Sequence, residues 1–270
     1  MKATILVDNI SNNDLMGEWG LSIYIEYKDK KVLLDTGLSS LFLENAGKLN
    51  LPIEDIDMGV LSHAHYDHAN GMEAFFENNA KALFYVGNCG ENCYSREFFI
   101  FHRYVGIPKG LLNKYEKRIV YVREDINVSD GISLITHKTK NLEVMGKRDR
   151  LELKKNGRYV WDNYEHEISL VFDTDDGLVI FNSCSHAGAA NIIKEVESVY
   201  PDKKVKALIG GFHLYNKSEK EVRAFAKLVK DTGIKDIYTG HCTGDKAFEI
   251  LKEELGDTVK QIYTGLVMEF

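Results

Sequence analysis

The chain has little of what membrane, secreted and nucleic-acid-binding proteins need. No stretch of it approaches the roughly 20 apolar residues of a membrane span. Its first eight residues, with charges already at Lys2 and Asp8, are too short and too soon charged for a signal peptide. Four cysteines do not make a disulfide framework in a chain of 270 residues, and a net charge of −7 with mixed signs argues against a nucleic-acid surface. We therefore expect a cytoplasmic protein without a nucleic-acid or membrane partner.

The length allows one domain with a full hydrophobic core. With 270 residues, 44% of them hydrophobic, α/β architectures often remain undivided. We predict a single domain over residues 1–270, with irregular excursions at about 85–117 and 138–167. The first excursion carries an aromatic cluster, Phe98, Phe99, Phe101, His102 and Tyr104. The second is rich in Lys and Arg and turns at Asn156-Gly157, which indicates a hairpin.

Both excursions are candidate walls or lids of a substrate site. In the competing interpretation the aromatic residues belong to the core or to a subunit contact, and the basic run is a solvated face. Four basic residues in the excursions are candidates for binding a phosphate: Lys109, Arg148, Arg150 and Arg158.

One six-residue segment concentrates metal-capable side chains. His63-Ala64-His65-Tyr66-Asp67-His68 follows the apolar run 58–61, which predicts a buried strand. Neutral imidazoles bind first-row transition metals, and a carboxylate adds a hard oxygen ligand. His63 and His65 can point the same way from an extended backbone, whereas Asp67 and His68 follow in a turn. The segment therefore predicts two neighbouring half-sites.

Three further predicted strands end at metal-capable residues. Residues 178–181 precede Cys184 and His186, residues 205–209 precede His213, and residues 234–238 precede His241 and Cys242. Loops at strand ends are free to turn inward while the strands hold them rigidly. We expect these side chains to gather at one place. The spacing of four between Cys89 and Cys93 is a weaker metal-binding candidate, since no second cysteine pair accompanies it.

These residues resemble the metallo-β-lactamase superfamily, whose HxHxDH signature is matched in full by His63, His65, Asp67 and His68. A closer resemblance, to the dihydropteroate-synthase-like hydrolases of that superfamily, rests on Gly20-Leu21-Ser22, Asp35-Thr36-Gly37, Cys184-Ser185-His186, Gly210-Gly211-Phe212-His213 and Thr239-Gly240-His241-Cys242. Some members of that subgroup are regarded as synthases of a dihydropterin-methyl-ribofuranosylaminobenzene phosphate. The resemblance implies a metallo-β-lactamase fold, an αβ/βα sandwich of two mixed β-sheets with outer helices. Strands that alternate with helices after an opening meander indicate the same α/β architecture.

The chain departs from the superfamily pattern at two positions. Many members place a bridging Asp in a Thr-Gly-Asp context where this chain has Asn182-Ser183-Cys184. The intermediate His also lacks a match, because neither His137 nor His166 lies in the usual Gly/Pro-rich setting. We therefore predict that His186 fills this coordination position, with Cys184 as the rival ligand.

The predicted centre holds two divalent transition-metal ions, with Zn favoured and Fe or Mn as alternatives. We assign one ion to His63, His65 and His186, and the other to Asp67, His68 and His241. A bridging hydroxide would be the nucleophile, oriented by Asp67. His213 is predicted to donate to a substrate oxyanion or to act as a general acid, against a purely structural role. Asp35 is expected to hold His65 or a neighbouring ligand, and Cys242 to be structural.

The leading functional hypothesis is a binuclear metal-dependent hydrolase of a small phosphorylated or cyclic-phosphodiester metabolite, hence an anionic substrate. A pterin-related synthase that forms a C–N bond is the alternative. Two further readings are a non-catalytic metal-bound sensor and a di-iron redox protein. The redox members of the superfamily are joined to a flavin module, for which this chain has no room. A homo-oligomer is left open.

Overall fold

The computed structural model describes residues 1–12, 14–98 and 100–270. Phe99 of the predicted aromatic cluster lies outside them. Within these ranges the chain forms two seven-stranded sheets and one four-stranded sheet, and elements are numbered here in chain order. The first sheet contains β1 (Lys2–Val7), β2 (Ser22–Tyr27), β3 (Lys30–Leu34), β4 (Met58–Leu61), β5 (Leu83–Val86), β8 (Ile119–Tyr121) and β18 (Val267–Glu269). Its order is β18-β1-β2-β3-β4-β5-β8, and β3, β4, β5 and β8 run parallel.

The second sheet repeats this mixture of antiparallel and parallel pairing. It contains β9 (Ile126–Ser129), β10 (Ile132–Thr136), β13 (Ile168–Thr174), β14 (Gly177–Phe181), β15 (Val205–Ile209), β16 (Asp236–Thr239) and β17 (Val259–Gln261). Its order is β17-β16-β15-β14-β13-β10-β9, and the strands from β14 to β17 are parallel. The carboxyl ends of these parallel strands carry the loops that hold the histidines.

Eight α-helices are assigned in the described part of the chain. They are α1 (Leu41–Lys48), α2 (Tyr66–Ala69), α3 (Met72–Asn78), α4 (Leu111–Lys114), α5 (Glu143–Asp149), α6 (Ala189–Val199), α7 (Glu219–Lys230) and α8 (Asp245–Leu255). Helix α7 begins with a complete capping box between Ser218 and Glu221, as its sequence predicts. None of the helices in the described residues is long and apolar enough to cross a membrane.

Alternation along the strands divides the apolar side chains among three clusters. In β3, Val32 and Leu34 join the cluster that fills the space between the two large sheets, while Leu33 joins the cluster under α1 and α3. In β14, Val179 faces the first sheet, and Ile180 faces the cluster that includes α6, α7 and α8. The layers are therefore helix, sheet, sheet, helix, which confirms the predicted αβ/βα sandwich.

The two excursions are not independent of each other, because both contribute strands to the third sheet. Strands β6 (Cys93–Glu97) and β7 (Phe101–Tyr104) come from the first excursion, and β11 (Leu151–Lys155) and β12 (Arg158–Trp161) from the second. They pair antiparallel in the order β12-β11-β6-β7. The predicted hairpin at Asn156-Gly157 is confirmed, and pairing of β6 with β11 joins the two segments into one sheet.

Two members of the predicted aromatic cluster, Phe98 and Phe101, are not part of the core. Phe98 and Phe101 are 78% and 61% exposed, because they lie at the β6–β7 turn and on the edge strand β7. His102 stacks on Tyr159 of β12, with ring centroids 3.6 Å apart, and its Nδ1 lies 2.7 Å from the buried Glu152 carboxylate. The core interpretation of Phe98 and Phe101 is therefore wrong.

Candidate metal centre

The metal-capable residues lie in loops after parallel strands of both large sheets. Asp35 follows β3, the HxHxDH segment follows β4, and His241 follows β16. Asp35, Ser185, His213 and His241 all have positive φ, at 58°, 48°, 49° and 44°. Such conformations are uncommon for residues other than glycine, cost free energy, and cluster at functional sites. The fold thus holds these loops in conformations that a free chain would avoid.

His63, His65 and His186 form the first group of converging ligand atoms. Their potential ligand atoms all lie within 4.8 Å of one another, and all three side chains are buried. The ring centroids are 4.6 Å apart for His63 and His65 and 5.1 Å for His63 and His186. His63 Nε2, His65 Nε2 and both nitrogens of His186 have no hydrogen-bond partner, although each is buried. Buried polar atoms normally have partners, so this orphaned set fits a metal ion.

Asp67, His68 and His241 form the second group, again within 4.8 Å. His68 Nε2 lies 3.2 Å from His241 Nε2, and Asp67 Oδ2 lies 3.6 Å from the same atom of His241. Two imidazole ligands at 2.0–2.1 Å from a tetrahedral Zn ion are about 3.3 Å apart. The spacing of these atoms therefore suits one ion. The structure brings together both predicted sets, and their role as ligands stays a prediction.

Four of the five histidines in the two groups are held neutral. Burial lowers the pKa of His65 to about 3 and that of His241 to about 3. Burial and the neighbouring imidazoles also lower the pKa of His63 and of His186 well below the usual value. A neutral imidazole keeps the lone pair that a metal ion needs.

His68 differs because two carboxylates lie beside it. Burial lowers its pKa, but the charges of Asp35 and Asp67 outweigh that effect and raise the pKa to about 9. Asp35 Oδ2 lies 2.7 Å from His68 Nδ1, and both Asp35 oxygens also accept from Ser62, through its N–H and its Oγ–H. Ser62 Oγ is in turn 2.9 Å from His63 Nδ1. Asp35 thus contacts His68, a predicted ligand, and Ser62 extends the contact to His63; the role of both histidines as ligands stays a prediction.

Cys184 lies between the two groups. Its Sγ is 3.3 Å from His68 Nε2, and it converges with His63 and His68 within 4.8 Å. Cys242 Sγ is 3.4 Å away and converges with Cys184 and His241. The thiol of Cys184 thus occupies the place expected of the missing bridging carboxylate. Cys242, which was predicted to be structural, thus lies beside two residues of the candidate centre, Cys184 and His241.

The turn that carries His186 is fixed by a buried carboxylate. Glu167 accepts hydrogen bonds from the backbone N–H groups of His186 and Ala187, at 2.8 and 3.0 Å. His137 bridges Glu167 and Glu195 of α6, with its two nitrogens 2.8 and 2.9 Å from their oxygens. His137 is therefore not a member of either ligand group. Together with Glu167 and Glu195 it holds the turn that carries His186.

A second set of buried polar side chains lies beside His65. His65, Cys93, Asp162 and His166 also converge within 4.8 Å. The Ala64 N–H donates to His166 Nδ1 at 3.2 Å, which leaves the ring proton on Nε2, 3.0 Å from Asp162 Oδ2. Both nitrogens of His166 are thus engaged. Cys93 belongs to this set, and Cys89 does not.

His213 lies beside the first group. Its ring centroid is 4.6 Å from that of His186 and 5.3 Å from that of Tyr215. Burial lowers its pKa, but the Cys242 sulfur and the Asp149 carboxylate outweigh this and raise it. Its Nδ1 has no hydrogen-bond partner. The predicted role of His213 as a donor to a substrate oxygen is compatible with this position and stays a prediction.

Several residues of the site escaped the sequence analysis. Trp19 Nε1–H donates to Asp67 Oδ2 at 2.9 Å. Asp8 Oδ2 accepts from the His241 backbone N–H at 2.9 Å, and Asn9 Oδ1 lies 3.1 Å from His241 Nδ1. Trp19 immediately precedes Gly20-Leu21-Ser22, and Asp8 immediately follows β1. Their positions next to a motif and next to a predicted strand end were the only sequence features that pointed to these residues.

Two of the candidate phosphate-binding residues, Arg148 and Lys109, have partners outside the ligand groups. Arg148 Nε is 3.1 Å from Asp149, whose buried carboxylate also binds Lys217 Nζ at 2.6 Å. Arg148 and Lys217 line a cavity of about 290 Å³ between α5, α6 and α7. Lys109 lies over the Tyr104 ring, 4.8 Å from its centroid, in the small sheet.

Comparison with known proteins agrees with this geometry. The family model described as "Metallo-beta-lactamase superfamily" matches residues 20–146. The chain is 31% identical, over 96% of its own length and 92% of the relative's, to the 7,8-dihydropterin-6-methyl-4-(beta-D-ribofuranosyl)-aminobenzene-5'-phosphate synthase of Methanocaldococcus jannaschii. The chain belongs to the metallo-beta-lactamase superfamily.

Two further similarities extend the comparison. An uncharacterized protein of the same archaeon is 27% identical over 92% of this chain and 93% of its own length. The crystal structure of Tm1679, a metal-dependent hydrolase of the beta-lactamase superfamily, superposes with a TM-score of 0.84 at 29% identity, over 100% of this chain and 99% of that one. The superfamily implies divalent metal binding, and the orphaned imidazole nitrogens of this chain fit it.

Proposed function

We propose that this protein is a binuclear metal-dependent hydrolase of a small phosphorylated or cyclic-phosphodiester metabolite. The observation that carries the proposal is the pair of adjacent three-residue groups, His63, His65 and His186 beside Asp67, His68 and His241. Two bound divalent cations lower the pKa of a water molecule and stabilise the attacking and leaving oxygens of a displacement.

The chain's own residues complete the proposed chemistry. Asp67 has the position to orient the attacking water, because one of its oxygens is already fixed by the Trp19 indole N–H. His213, with its raised pKa and unpartnered Nδ1, would donate a proton to the oxygen on which charge develops. Asp35 and Ser62 hold His68 and His63 in place.

A pterin-related synthase is the second candidate. It is favoured by the name of the M. jannaschii relative, with which this chain is collinear over nearly its full length. In that case the arylamine nitrogen would displace the leaving group of an activated pterin and lose a proton, so a C–N bond would form, the bond to the leaving group would break, and no water would be consumed. The residues of the two ligand groups would hold metal ions that stabilise the charge on the departing group.

Metal analysis of gently purified protein tests the binuclear centre. We expect about two equivalents of transition metal per chain. A reproducible value of one or fewer, unchanged by reconstitution, would refute the centre.

Reaction in ¹⁸O-labelled water then separates the two reaction types. The reconstituted protein is offered bis(p-nitrophenyl) phosphate, cyclic mononucleotides, phosphorylated metabolites, and an activated pterin with an arylamine. Hydrolysis places solvent oxygen in the product, whereas C–N bond formation does not. Solvent ¹⁸O in a product that the wild type forms and Asp67→Asn does not form supports the hydrolase. A coupled pterin–arylamine product, with no turnover of the phosphoesters, overturns it in favour of the synthase.

A further inference from the structure

Two free cysteines meet in the candidate metal centre although they are 58 positions apart in the chain. The Sγ atoms of Cys184 and Cys242 are 3.4 Å apart, and both side chains are buried. The two sulfur atoms of a disulfide are about 2.0 Å apart, so formation of the bond requires an approach of about 1.4 Å. A small movement of the two loops is therefore enough to cross-link them.

The second sheet places these two sulfurs side by side. Cys184 follows β14 and Cys242 follows β16, and both strands pair with β15 in parallel. Gly211 lies in the loop after β15, where an added Cβ atom would be 2.5 Å from Cys242 Sγ. The Gly211 N–H donates to the carbonyl oxygen of Ser183, next to Cys184, at 2.7 Å. The glycine thus contacts both cysteine loops and leaves the room in which the sulfurs meet.

Both cysteine loops also carry predicted metal ligands. Cys184 Sγ is 3.3 Å from His68 Nε2, and His186 follows two residues after Cys184. Cys242 directly follows His241. A bond between the sulfurs would draw together two loops that hold ligands of different groups. Binding sites tolerate displacements of only about 0.5 Å, which is less than the approach that the bond requires.

A small oxidant has a path to the pair. Trp19, Gly240 and His241 contribute to the lining of a cavity of about 330 Å³, and Cys242 is the next residue in the chain. Because both sulfurs are buried, a large oxidant would not reach them. Hydrogen peroxide is little larger than water and fits this cavity many times over.

We propose that Cys184 and Cys242 form a reversible disulfide under hydrogen peroxide, and that this bond weakens metal binding at the candidate centre. Peroxide oxidises one thiol to a sulfenic acid: an S–O bond forms, the O–O bond breaks, and one water leaves. The second thiol attacks the sulfenic sulfur, so the S–S bond forms, the S–O bond breaks, and a second water leaves. Two thiols and one peroxide thus give one disulfide and two waters. The inference rests on the proposed function only in taking the two ligand groups as metal sites.

Peptide mapping identifies the bond, and the other two cysteines serve as an internal control. Cys89 and Cys93 share the tryptic peptide 82–96, whereas Cys184 and Cys242 are the single cysteines of peptides 159–194 and 236–246. The chelator-treated full chain is exposed to peroxide, its remaining thiols are alkylated under denaturing conditions, and the tryptic peptides are identified by mass spectrometry. We expect a cross-link between peptides 159–194 and 236–246, with peptide 82–96 alkylated twice.

Metal affinity is compared in the reduced and the oxidised protein. Competition of a chromophoric chelator for zinc should show about tenfold weaker binding after oxidation, and tris(2-carboxyethyl)phosphine should restore it. Cys184→Ala should form no cross-link and show no reversible loss of affinity. Cys242→Ala is the second variant, with the same expected result, in case the first does not fold. Cys89→Ser is the matched control and should behave as the wild type.

Three outcomes would overturn the inference. They are the absence of a cross-link between the two peptides, a disulfide confined to peptide 82–96, and equal zinc affinity in the cross-linked and the reduced protein. The mapping uses metal-free protein, so it does not depend on the number of ions or on the reaction. A cross-link that weakens binding in a chain with a single ion would refute only the binuclear centre, whereas two ions without a cross-link would refute only this inference.

Discussion

The Sγ atom of Cys184 lies 3.3 Å from Nε2 of His68, in the space between the two ligand groups. At this position many superfamily members are expected to place a bridging Asp. A thiol here can either bind metal as a thiolate or pack beside the ligands as a small apolar group. Neither ring nitrogen of His186, two residues later, has a hydrogen-bond partner, and His186 converges with His63 and His65.

We predict that His186, rather than Cys184, is the ligand contributed by this turn. His186→Ala should lose metal, while Cys184→Ala should keep it, because His186 completes a three-residue group with His63 and His65. X-ray absorption distinguishes the two directly, since a thiolate gives a Zn–S distance near 2.3 Å and an imidazole about 2.0–2.1 Å. Metal loss in Cys184→Ala with retention in His186→Ala would refute the assignment.

Asp67→Asn should abolish turnover and leave the fold intact. The amide has nearly the same volume and can still accept the Trp19 N–H, but it lacks the negative charge that binds a cation and orients water. Melting curves and turnover of the purified variant are the measurements. Cys89→Ser is the control and should change neither. Activity within tenfold of wild type, with comparable melting, would remove Asp67 from the mechanism.

Glu167→Gln should weaken metal binding by about 10- to 100-fold, the range typical of groups that orient metal ligands. The glutamine side chain has only one acceptor oxygen for the two N–H groups of the His186 turn, and its NH₂ group would face the other. Competition with a chromophoric chelator measures the affinity. The exposed Glu165→Gln is the matched control. An unchanged affinity in Glu167→Gln would show that the turn holds its shape without this carboxylate.

His137 should make stability depend on pH above neutrality. Burial lowers its pKa, but the carboxylates of Glu167 and Glu195 outweigh burial and raise it to about 9, against 6.5 for the ordinary group. The folded state thus binds an extra proton between these values. This proton contributes at most about 3 kcal/mol to the free energy of unfolding. The contribution is complete below pH 6.5 and is lost as the pH rises through 9. Urea unfolding at both pH values should show this decline in wild type but not in His137→Gln. Parallel pH profiles for the two proteins would contradict it.

The sequence was most informative where chemistry and periodicity coincide. Each strand that leads to the site is a short apolar run, and the residue types that follow it have few uses other than metal binding. The HxHxDH segment and His241 could therefore be placed together before any coordinates. The capping box of α7 is equally local, since Ser218 and Glu221 are three residues apart.

What the sequence could not reveal depends on contacts between distant segments. The small sheet arises from pairing of Cys93 with Leu153, which no local pattern encodes. The exposure of Phe98 follows from that pairing, because an aromatic residue has the same sequence signature in a core and at a turn. The hydrogen bonds of Glu167 have a similar origin. Nothing in the sequence around Glu167 indicates that its carboxylate accepts the backbone N–H groups of His186 and Ala187, 19 and 20 positions later.

Each group of ligands draws on both large sheets, with His68 after β4 and His241 after β16, 173 residues apart in the chain. A metal ion held by both residues would cross-link the two sheets of the sandwich. Release of the ion on unfolding would return conformational entropy to the long segment between them. Because the complete group exists only in the folded state, the free metal concentration would enter the folding equilibrium directly. Chelation should therefore lower the melting temperature, which should rise with the logarithm of added metal.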